Sequence, residues 1–509
     1  MNVDIGHDPR TGRAHEPVPH SAPEEVQAAL SRAAAAARPL ADTPPATRAA
    51  WLSAIAEALV AHADDLVALA DSETALGTPR LEGELARAAA QARFYGDVAA
   101  EGSFLGAVLD HAAGTPSVDL RRLHHPLGPV AVFGASNFPF GFGVVGHDTC
   151  SALAAGCPVI VKAHPAHPRT SRRMAEVVED TLRRAGAPVG TCGHVVGFDA
   201  GLALVDAPEI AAVGFTGSQR GGMALVQRAQ ARGQAPGATA RPIPVYAEMG
   251  TVNPVVVTEA AIATRADEIA TGFADSFTLG SGQFCTKPGL MLVPVGSDMA
   301  ARVDQAAAGR TGHALTAGIA DTYRAGLARL ERAGATPLRR TNVTDGFVVG
   351  ATVLVAPAAR LTPGSAILDE CFGPVAVIVK YADRADLDTS LATLQPSLAA
   401  ALHTGGPDDP DVPGLVATLS GRVGRVVVDG WPTGVAVTWS QHHGGPWPAT
   451  SRPEATSVGA GALQRWLRPV TYQDVPDPAL PKPLRDSNPW GVPRRVDGIL
   501  IDGTPEGTS

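Results

Sequence analysis

Apolar residues recur along this chain with two different periods, and the change from one to the other separates its regions. Up to about residue 105 they recur at helical spacing, in the stretches 28–37, 51–69 and 81–96. From about residue 121 the pattern becomes a set of short apolar runs, each followed by an amphipathic segment. Short buried strands that alternate with helices predict parallel βαβ units. We therefore expect a helical region followed by an α/β fold.

The short apolar runs fall into two series, which predict two domains. The first series predicts helices at 148–155 and 171–185 and strands at 130–133, 158–162, 194–196 and 211–215. The second predicts strands at 244–247, 253–257, 290–295, 375–379 and 425–428. Because 509 residues exceed the size of an ordinary single core, we predict two α/β domains in tandem. A polar tail from Asp502 onward is predicted to fray.

Composition excludes several classes of function. The formal net charge is -9 and there is no block of Lys and Arg, which argues against a nucleic-acid partner. The sequence contains no run of ~18 apolar residues, so it predicts no membrane span. The first residues lack a signal-peptide pattern, and we therefore expect a cytoplasmic protein. The five cysteines contain no C-x-x-C pair, which fits a reducing compartment and predicts neither a disulfide framework nor a metal site.

Cys285 lies in an unusual setting, the glycine-rich stretch G-Q-F-C-T-K-P-G, just ahead of an apolar run. Gly280, Gly282 and Gly289 leave the backbone free to turn tightly and to expose a thiol. A structural cysteine usually lies inside a helix or strand and needs no such neighbours. A small apolar residue in a loop is nevertheless the ordinary interpretation, so this stretch alone does not identify a nucleophile.

Five other segments follow or precede strand-like runs, where open α/β sheets bind their ligands. Asn137 could donate its amide to an oxyanion or could cap a helix. Lys162, at the end of a buried strand, could bind a ribose or phosphate or extend to solvent. The turn 215–222 could hold a pyrophosphate on its N–H groups. Glu248 could be a base in a crevice or a surface residue, and 369–374 places two acids before an aromatic residue and a sharp turn.

The order of these segments resembles the aldehyde dehydrogenase superfamily over roughly residues 15–480. An asparagine, a lysine, F-T-G-S, E-x-G, a glycine-flanked cysteine 37 residues after that glutamate, and E-x-F-G-P follow one another as in that superfamily. Several motifs are similar to those of 2,5-dioxovalerate (α-ketoglutarate semialdehyde) dehydrogenases and fatty-aldehyde relatives. They are K-A-H-P-A-H-P, A-E-M-G, Q-H-H-G-G-P and L-R-P-V-T-Y-Q-D. The resemblance implies two tandem Rossmann-type α/β domains plus an oligomerisation arm.

The resemblance also implies domain boundaries and a partner. The implied parts are a helical part of the cofactor domain at 1–108, a first arm segment at 109–125, a dinucleotide-binding domain at 126–247, a catalytic domain at 248–440, and a final segment at 441–509. The final segment holds the return of the arm near 462–473. Members of the superfamily assemble through this arm, so a homodimer or homotetramer is expected.

Roles for the reacting residues follow from the same resemblance. Cys285 as thiolate would attack the aldehyde carbon, and the Asn137 amide and the Cys285 backbone N–H would hold the oxyanion. After hydride transfer to NAD or NADP, Glu248 would activate water to hydrolyse the thioester. The other implied cofactor-binding residues are Lys162, His164, Pro165, Phe215, Gly217, Ser218, Gly222, Glu370 and Phe372. No metal is expected.

Position 165 departs from the superfamily pattern. Pro165 stands where a glutamate that selects NAD usually follows the lysine by three residues. Nothing negative there repels a 2′-phosphate, and Lys162 and His164 could offer it positive charge or donors. We therefore predict that NADP+ is used at least comparably to NAD+. Gly141, Gly146 and Thr251 are further departures, which could reshape the substrate pocket.

The substrate implied by the resemblance is a short aldehyde that carries a carboxylate, 2,5-dioxopentanoate going to 2-oxoglutarate. A planar arginine fork suits a carboxylate, and Arg87 and Gln91 share one helical face. With Phe138 they are the predicted substrate contacts, although solvated charges on an exposed helix are an equal interpretation. A neutral or specialised aldehyde is the alternative substrate. A cysteine hydrolase using His442 or His443, or a non-catalytic scaffold, are the alternatives of another class.

Overall fold

The first part of the chain is a two-stranded ribbon followed by four helices. The computed structural model describes residues 2–113, 117–234, 240–339 and 347–503. The elements are β1 Val3–Asp4, β2 Val18–Pro19, α1 Pro23–Ala41, α2 Pro45–Ala61, α3 Ala63–Thr74 and α4 Thr78–Glu101. The single helix predicted over 51–69 is two helices, because His62 leaves the helical conformation (φ -107°, ψ 18°). Leu81, Leu85 and Ala88 form the buried stripe of α4 that the periodicity predicts.

The arm is a five-stranded sheet assembled from distant parts of the chain. Its strands are β3 Ala107–Ala113 and β4 Val118–Pro126, with Leu467–Gln473, Arg494–Val496 and Ile499–Ile501 from the far end. The segment Leu467–Gln473 pairs antiparallel with β4, as the predicted arm return near 462–473 requires. Ile499 and Leu500 are exposed at one edge of this sheet. Beyond residue 503, the tail predicted to fray lies outside the described residues.

The first α/β domain is built on a five-stranded, fully parallel sheet. Its elements are β5 Val130–Phe133, α5 His147–Ala155, β6 Val159–Lys162, α6 Pro168–Arg184, β7 Cys192–Val195, α7 Phe198–Asp206, β8 Ala212–Gly217, α8 Gln219–Ala231 and β9 Val245–Met249. The strands lie in the order β7-β6-β5-β8-β9. From β5 the chain adds β6 and β7 on one side, and it then adds β8 and β9 on the other side, so the switch point lies between β5 and β8. Ligands of open α/β sheets bind at such a point, beyond the carboxyl ends of the strands. Glu248 lies on β9, so the boundary predicted at 247 falls inside that strand.

The second domain contains a seven-stranded sheet. Its elements are β10 Pro254–Val257, α9 Glu259–Thr278, β11 Leu290–Pro294, α10 Met299–Ala307, β12 Thr311–His313, α11 Ala317–Arg332, β13 Thr336–Pro337, β14 Val348–Gly350, β15 Thr352–Pro357, β16 Val375–Tyr381, α12 Arg384–Thr393, β17 Ser397–His403, α13 Val412–Ser420 and β18 Val423–Val428. The order is β13-β15-β16-β11-β10-β17-β18, and only the β13–β15 pair is antiparallel. Together with the arm, the parallel five-stranded sheet and the mostly parallel seven-stranded sheet confirm the predicted fold class. None of the helices in the described part of the chain combines the length and apolar character that a membrane crossing requires.

The three arm strands after β18 complete the numbering, and short 3₁₀ turns connect several elements. The strands are β19 Leu467–Gln473, β20 Arg494–Val496 and β21 Ile499–Ile501. The 3₁₀ turns are Ser103–Leu105, Leu279–Gly282, Ala358–Arg360, Ala366–Leu368, Ala460–Trp466, Asp477–Ala479 and Lys482–Leu484. The turn Leu279–Gly282 connects the end of α9 to the segment that carries Cys285.

Candidate active site

A cavity of about 450 Å³ brings together most of the predicted site residues. Its lining includes Asn137, Phe138, His164, Pro165, Phe215, Gly217, Ser218, Cys285, Glu370 and Phe372. These residues come from the carboxyl ends of β5, β6 and β8 and from two loops of the second domain. Five predicted residues lie outside this lining, namely Arg87, Gln91, Lys162, Gly222 and Glu248.

The turn ahead of Cys285 explains the glycines that surround it. Gly280, Ser281 and Gly282 all have positive φ, between 55° and 67°, a conformation that glycine adopts without strain. A Cβ atom on Gly282 would collide with the backbone of Gly373. The glycines therefore allow the cysteine turn to press against the segment that carries Glu370 and Phe372.

Two buried side chains that sequence reasoning missed hold this turn in place. Asn253 donates from its amide to the carbonyl oxygens of Cys285 at 2.8 Å and Lys287 at 3.2 Å. The Lys287 ammonium donates to the carbonyl oxygens of Cys371 at 3.0 Å and Val375 at 2.9 Å. Burial lowers the pKa of Lys287, and these carbonyls are its compensation for lost water. Each anchor joins segments far apart in the chain, which gives no local sequence signal.

Cys285, Glu248 and His443 form a tight cluster. The Cys285 Sγ atom lies 3.6 Å from His443 Nε2, and His443 Nε2 lies 3.0 Å from Glu248 Oε2. The Ser457 hydroxyl donates to the same Oε2 atom at 2.8 Å. Glu248 and His443 are 3% and 2% exposed. His443, named in the sequence only as a partner for a hydrolase, is thus in contact with both predicted catalytic residues.

The surroundings shift the pKa of Glu248 and the pKa of the Cys285 thiol in opposite directions. Burial alone would raise the pKa of Glu248, but the charge and hydrogen bond of His443, with the bonds from Ser457 and Cys285, hold that pKa below its ordinary value. Burial and the nearby charge of Glu248 raise the pKa of the Cys285 thiol well above its ordinary value. The carboxylate is therefore charged and the resting thiol protonated. Attack by sulfur requires that the proton be taken by a neighbour.

Asn137 is held beside the cysteine turn by its backbone and its side chain. Its amide nitrogen donates to the carbonyl oxygen of Gln283 at 2.9 Å. Arg80 Nη2 donates to the Asn137 carbonyl oxygen at 2.8 Å. The Arg80 guanidinium also lies 5.2 Å from the ring centres of both Phe138 and Phe284. Arg80 thus ties the predicted oxyanion donor to the aromatic wall of the cavity.

Helix α4 anchors the rest of the loop that follows Asn137. Glu84 Oε1 accepts from the backbone N–H groups of Phe140 at 2.9 Å and Gly141 at 3.1 Å. Gln91 Nε2 donates to the carbonyl oxygens of Gly141 at 3.3 Å and Val145 at 3.2 Å. Gln91 is buried and bound to this loop, so it does not project as the predicted substrate contact. Arg80, Glu84 and Gln91 share one helical face, a spacing that sequence reasoning could have connected with the loop.

Arg87 lies on the same helix but is exposed. Burial lowers the pKa of Arg80, and the charge of Arg87 acts in the same direction. Burial raises the pKa of Glu84, and there the charge of Arg87 acts in the opposite direction. Arg87 therefore adds positive charge to the helix that borders the aromatic wall, and its role toward a carboxylate stays a prediction.

The opposite end of the cavity has the features of a phosphate and ribose site. The Ser218 hydroxyl accepts from the Gly221 N–H at 3.2 Å and caps α8, whose N-terminus points its free N–H groups outward. A Cβ atom on Gly222 would lie 2.7 Å from Met249 Sδ, so glycine lets α8 approach β9 closely. A Cβ atom on Gly250 would collide with the Glu370 carboxylate. Burial raises the pKa of Glu370 to about 7.

Comparison with known proteins places these observations in a family. Residues 6–445 match the model of the family described as "Aldehyde dehydrogenase family". The chain is 45% identical over 491 residues to alpha-ketoglutaric semialdehyde dehydrogenase 2 of Azospirillum brasilense, covering 93% of this chain and 92% of that protein. It is 38% identical over 464 residues to alpha-ketoglutaric semialdehyde dehydrogenase of Acinetobacter baylyi, covering 89% and 87%.

Solved structures agree at the level of the fold. An E. coli NADP dependent enzyme matches with a TM-score of 0.79 and 22% identity, covering 93% of this chain and 94% of that one. Methylmalonate-semialdehyde dehydrogenase from Oceanimonas doudoroffii matches with a TM-score of 0.78 and 20% identity, covering 93% and 95%. At these identities the likeness shows the fold alone.

Proposed function

The chain belongs to the aldehyde dehydrogenase family and is an oxidoreductase that acts on an aldehyde, and we propose that its substrate is 2,5-dioxopentanoate, which it converts to 2-oxoglutarate. The observation that carries the chemistry is the single cavity that holds Cys285 beside Asn137, with Glu248 and His443 in contact behind the sulfur. The relatives at 45% and 38% identity, which match 93% and 89% of this chain, are both named for α-ketoglutaric semialdehyde. The substrate is taken from those names.

The first step is attack by the Cys285 sulfur on the aldehyde carbon. The thiol proton passes to the Glu248 carboxylate, which the N–H of His443 Nε2 holds at 3.0 Å, and a C–S bond forms as the carbonyl oxygen becomes an oxyanion. The Asn137 amide carries two N–H donors, and Gln283 uses one of them. The other N–H and the Cys285 backbone N–H stabilise the oxyanion, each donor contributing roughly 3 kcal/mol.

The residues at the other end of the cavity suit a nicotinamide dinucleotide. Gly217, Ser218 and Gly222 form the turn that would take the pyrophosphate, with Phe215 beside it. Lys162 and Glu370 would bind the riboses, with His164, Pro165 and Phe372 along the wall. The bound dinucleotide supplies the hydride acceptor that turns the thiohemiacetal on Cys285 into a thioester.

Glu248 then prepares water for the second half of the reaction. Its Oε1 atom is buried and has no hydrogen-bond partner among the described residues, so it is free to accept a hydrogen bond from water. Once the thiol proton has left Glu248 for solvent, the water loses a proton to the carboxylate and its oxygen attacks the thioester carbon. The C–S bond then breaks to release the acid and the Cys285 thiolate, which takes the proton back from Glu248. His443 and Ser457 keep Oε2 occupied, which fixes the direction of Oε1.

We assign the distal carboxylate of the substrate to the positive charge on α4. Arg87 is exposed there, and Arg80 borders the aromatic wall formed by Phe138 and Phe284. The test compares Arg87→Ala on 2,5-dioxopentanoate and on a neutral aldehyde of equal length, with wild type as the reference. Selective loss on the acid, on the order of 1.5–3 kcal/mol in kcat/KM, supports the assignment. Equal loss on both, or a wild type that prefers the neutral aldehyde, contradicts it.

A second activity is favoured by one observation, the Cys285–His443–Glu248 contact. His443 uses the same nitrogen, Nε2, toward both partners, so the base is the Glu248 carboxylate, which can take the thiol proton and leave a thiolate that attacks an ester. We propose that the same residues hydrolyse activated esters without dinucleotide. An assay with an aryl ester tests this, and loss of that hydrolysis in Cys285→Ala is the supporting result.

The arm is the proposed contact between copies of this chain. The edge strand β21 exposes Ile499 and Leu500, which are 69% and 63% accessible. An uncovered apolar edge strand pairs readily with another chain. We propose a homodimer or homotetramer, for which light scattering after size exclusion gives the mass.

A further inference from the structure

The ribbon formed by β1 and β2 lies against the carboxyl end of β6, where Lys162 stands. Val18 of β2 is buried together with Ala163 and Val196 in one small cluster. Ser21 fastens the end of the ribbon there, because its backbone N–H donates to the Val196 carbonyl oxygen at 2.9 Å and its hydroxyl accepts from the Val196 N–H at 3.0 Å. Asp4 stands directly opposite Val18 in the ribbon. The pairing therefore brings a carboxylate close enough to Lys162 for its charge to act on that amine, and both side chains lie outside the cavity lining.

The Asp4 carboxylate is only half satisfied. His20 Nε2 lies 2.9 Å from Oδ1, and His20 itself rests against Gly197, where a Cβ atom would lie 2.6 Å from its ring. The other oxygen, Oδ2, is buried and has no hydrogen-bond partner among the described residues. The side chain as a whole is 13% exposed. A buried acceptor without a donor costs stability, so a ligand hydroxyl that reached Oδ2 would be bound favourably.

Lys162 is equally unengaged. Its stem packs over Gly201, where a Cβ atom would lie 3.2 Å from the lysine Cγ. Its amine has no hydrogen bond to the described residues, and burial lowers its pKa while the charge of Asp4 acts in the opposite sense. A cation and an anion with free hydrogen-bonding atoms thus face the same region from β6 and from the ribbon.

We propose that Asp4 is the acid that makes this chain prefer NAD+ over NADP+, by accepting a hydrogen bond from an adenosine-ribose hydroxyl and by repelling a 2′-phosphate. The inference rests on the proposed use of a nicotinamide dinucleotide. It reverses the preference expected from Pro165 alone, because the acid missing at position 165 is supplied by a different segment.

Apart from Lys162 and His20, the positive groups nearby do not offset Asp4. Burial, followed by the charges of His167 and Lys162, lowers the pKa of His164 well below its ordinary value, so that ring is neutral and offers a phosphate no charge. Arg220 lines the cavity on the first turn of α8, but it is exposed. Exposed charges interact weakly because water and salt screen them, whereas a largely buried carboxylate acts at closer to full strength.

The test is direct binding of NAD+ and NADP+ by calorimetry, without aldehyde, to wild type, Asp4→Asn and Asp4→Ala. Wild type is expected to bind NAD+ more tightly, and Asp4→Asn to narrow the ratio of the two Kd values by about tenfold, mainly through tighter NADP+ binding. Asp4→Ala also removes the acceptor, so it is expected to weaken NAD+. Glu16→Gln is the matched control, since Glu16 is an exposed acid between the same two strands.

Three outcomes overturn the proposal. They are a wild type that binds NADP+ at least as tightly, a ratio that Asp4→Asn leaves unchanged at a wild-type melting temperature, and an equal change in Glu16→Gln. Failure of the proposed function gives a different result. A chain that oxidises no semialdehyde would still show the change in the ratio of the two Kd values in Asp4→Asn if Asp4 has this role. A second readout, the ratio of kcat/KM for the two dinucleotides, is expected to follow the Kd ratio.

Discussion

Replacing His443 by alanine is expected to slow turnover about 10²-fold at pH 7, in the lower range of what general-base catalysis contributes. His443 meets Cys285 Sγ at 3.6 Å and Glu248 Oε2 at 3.0 Å with the same nitrogen, Nε2, so its loss removes the donor that keeps the carboxylate charged and able to take the thiol proton. Burial then dominates and raises the pKa of Glu248, which in the wild type is held below its ordinary value. The variant is therefore expected to gain activity as pH rises from 6 to 9, where the wild type varies less.

The assay is a pH profile of kcat together with the burst of reduced dinucleotide in the first turnover. Because the two partners are 2% and 3% exposed, removing the ring also leaves an uncompensated buried charge, which costs about 3–5 kcal/mol of stability. His443→Gln separates the two effects, since its amide keeps a donor toward Glu248 but takes up no proton. It is expected to restore stability and to bring the pH profile part of the way back to that of the wild type. His442→Ala, next in the chain and only half-buried, is the matched control. A pH profile of His443→Ala that parallels the wild type would refute the reasoning.

Three further predictions concern individual side chains. Cys285→Ala is expected to bind dinucleotide with wild-type affinity and to lose all turnover, measured as reduced cofactor; residual activity above a few per cent contradicts the nucleophile. Glu248→Gln is expected to give one burst and then stall at hydrolysis, seen as acylated protein by mass spectrometry; loss of the burst instead means that Glu248 acts earlier. Burial raises the pKa of Glu370 to about 7, so ionising it costs the folded state stability as pH rises from about 4.5 to 7. The melting temperature of Glu370→Gln is expected to exceed that of wild type increasingly over that window and then by a constant amount; a difference independent of pH contradicts it.

The sequence could reveal a site residue only where neighbouring residues form a recognisable motif around it. Cys285, Asn137 and Glu248 each stand in a short motif beside a strand end, so a few neighbouring letters mark them. His443 lies 158 residues from Cys285 and meets it only through the fold. Asp4 lies close enough to Lys162 for its charge to act on that amine, through a strand pairing whose register no local pattern encodes. The parallel strands were predictable because both faces of their sheets are covered, which makes their apolar runs nearly continuous. The helix break at His62 was not predictable, because the helical spacing of apolar residues continues across it.

The attachment of the loop after Asn137 to α4 has a practical side for enzyme engineering. Its hydrogen bonds to that helix are made by the backbone of residues 137, 140, 141 and 145, through Arg80, Glu84 and Gln91. The rings of Phe138 and Phe142 line the cavity and take no part in those bonds. A mutant library confined to these two positions would therefore remodel the wall around the aldehyde tail while the backbone hydrogen bonds still hold the oxyanion donor, although changes at Phe138 remove its ring contact with Arg80. Variants that accept new aldehydes can then be selected while the residues of the catalytic step stay unchanged.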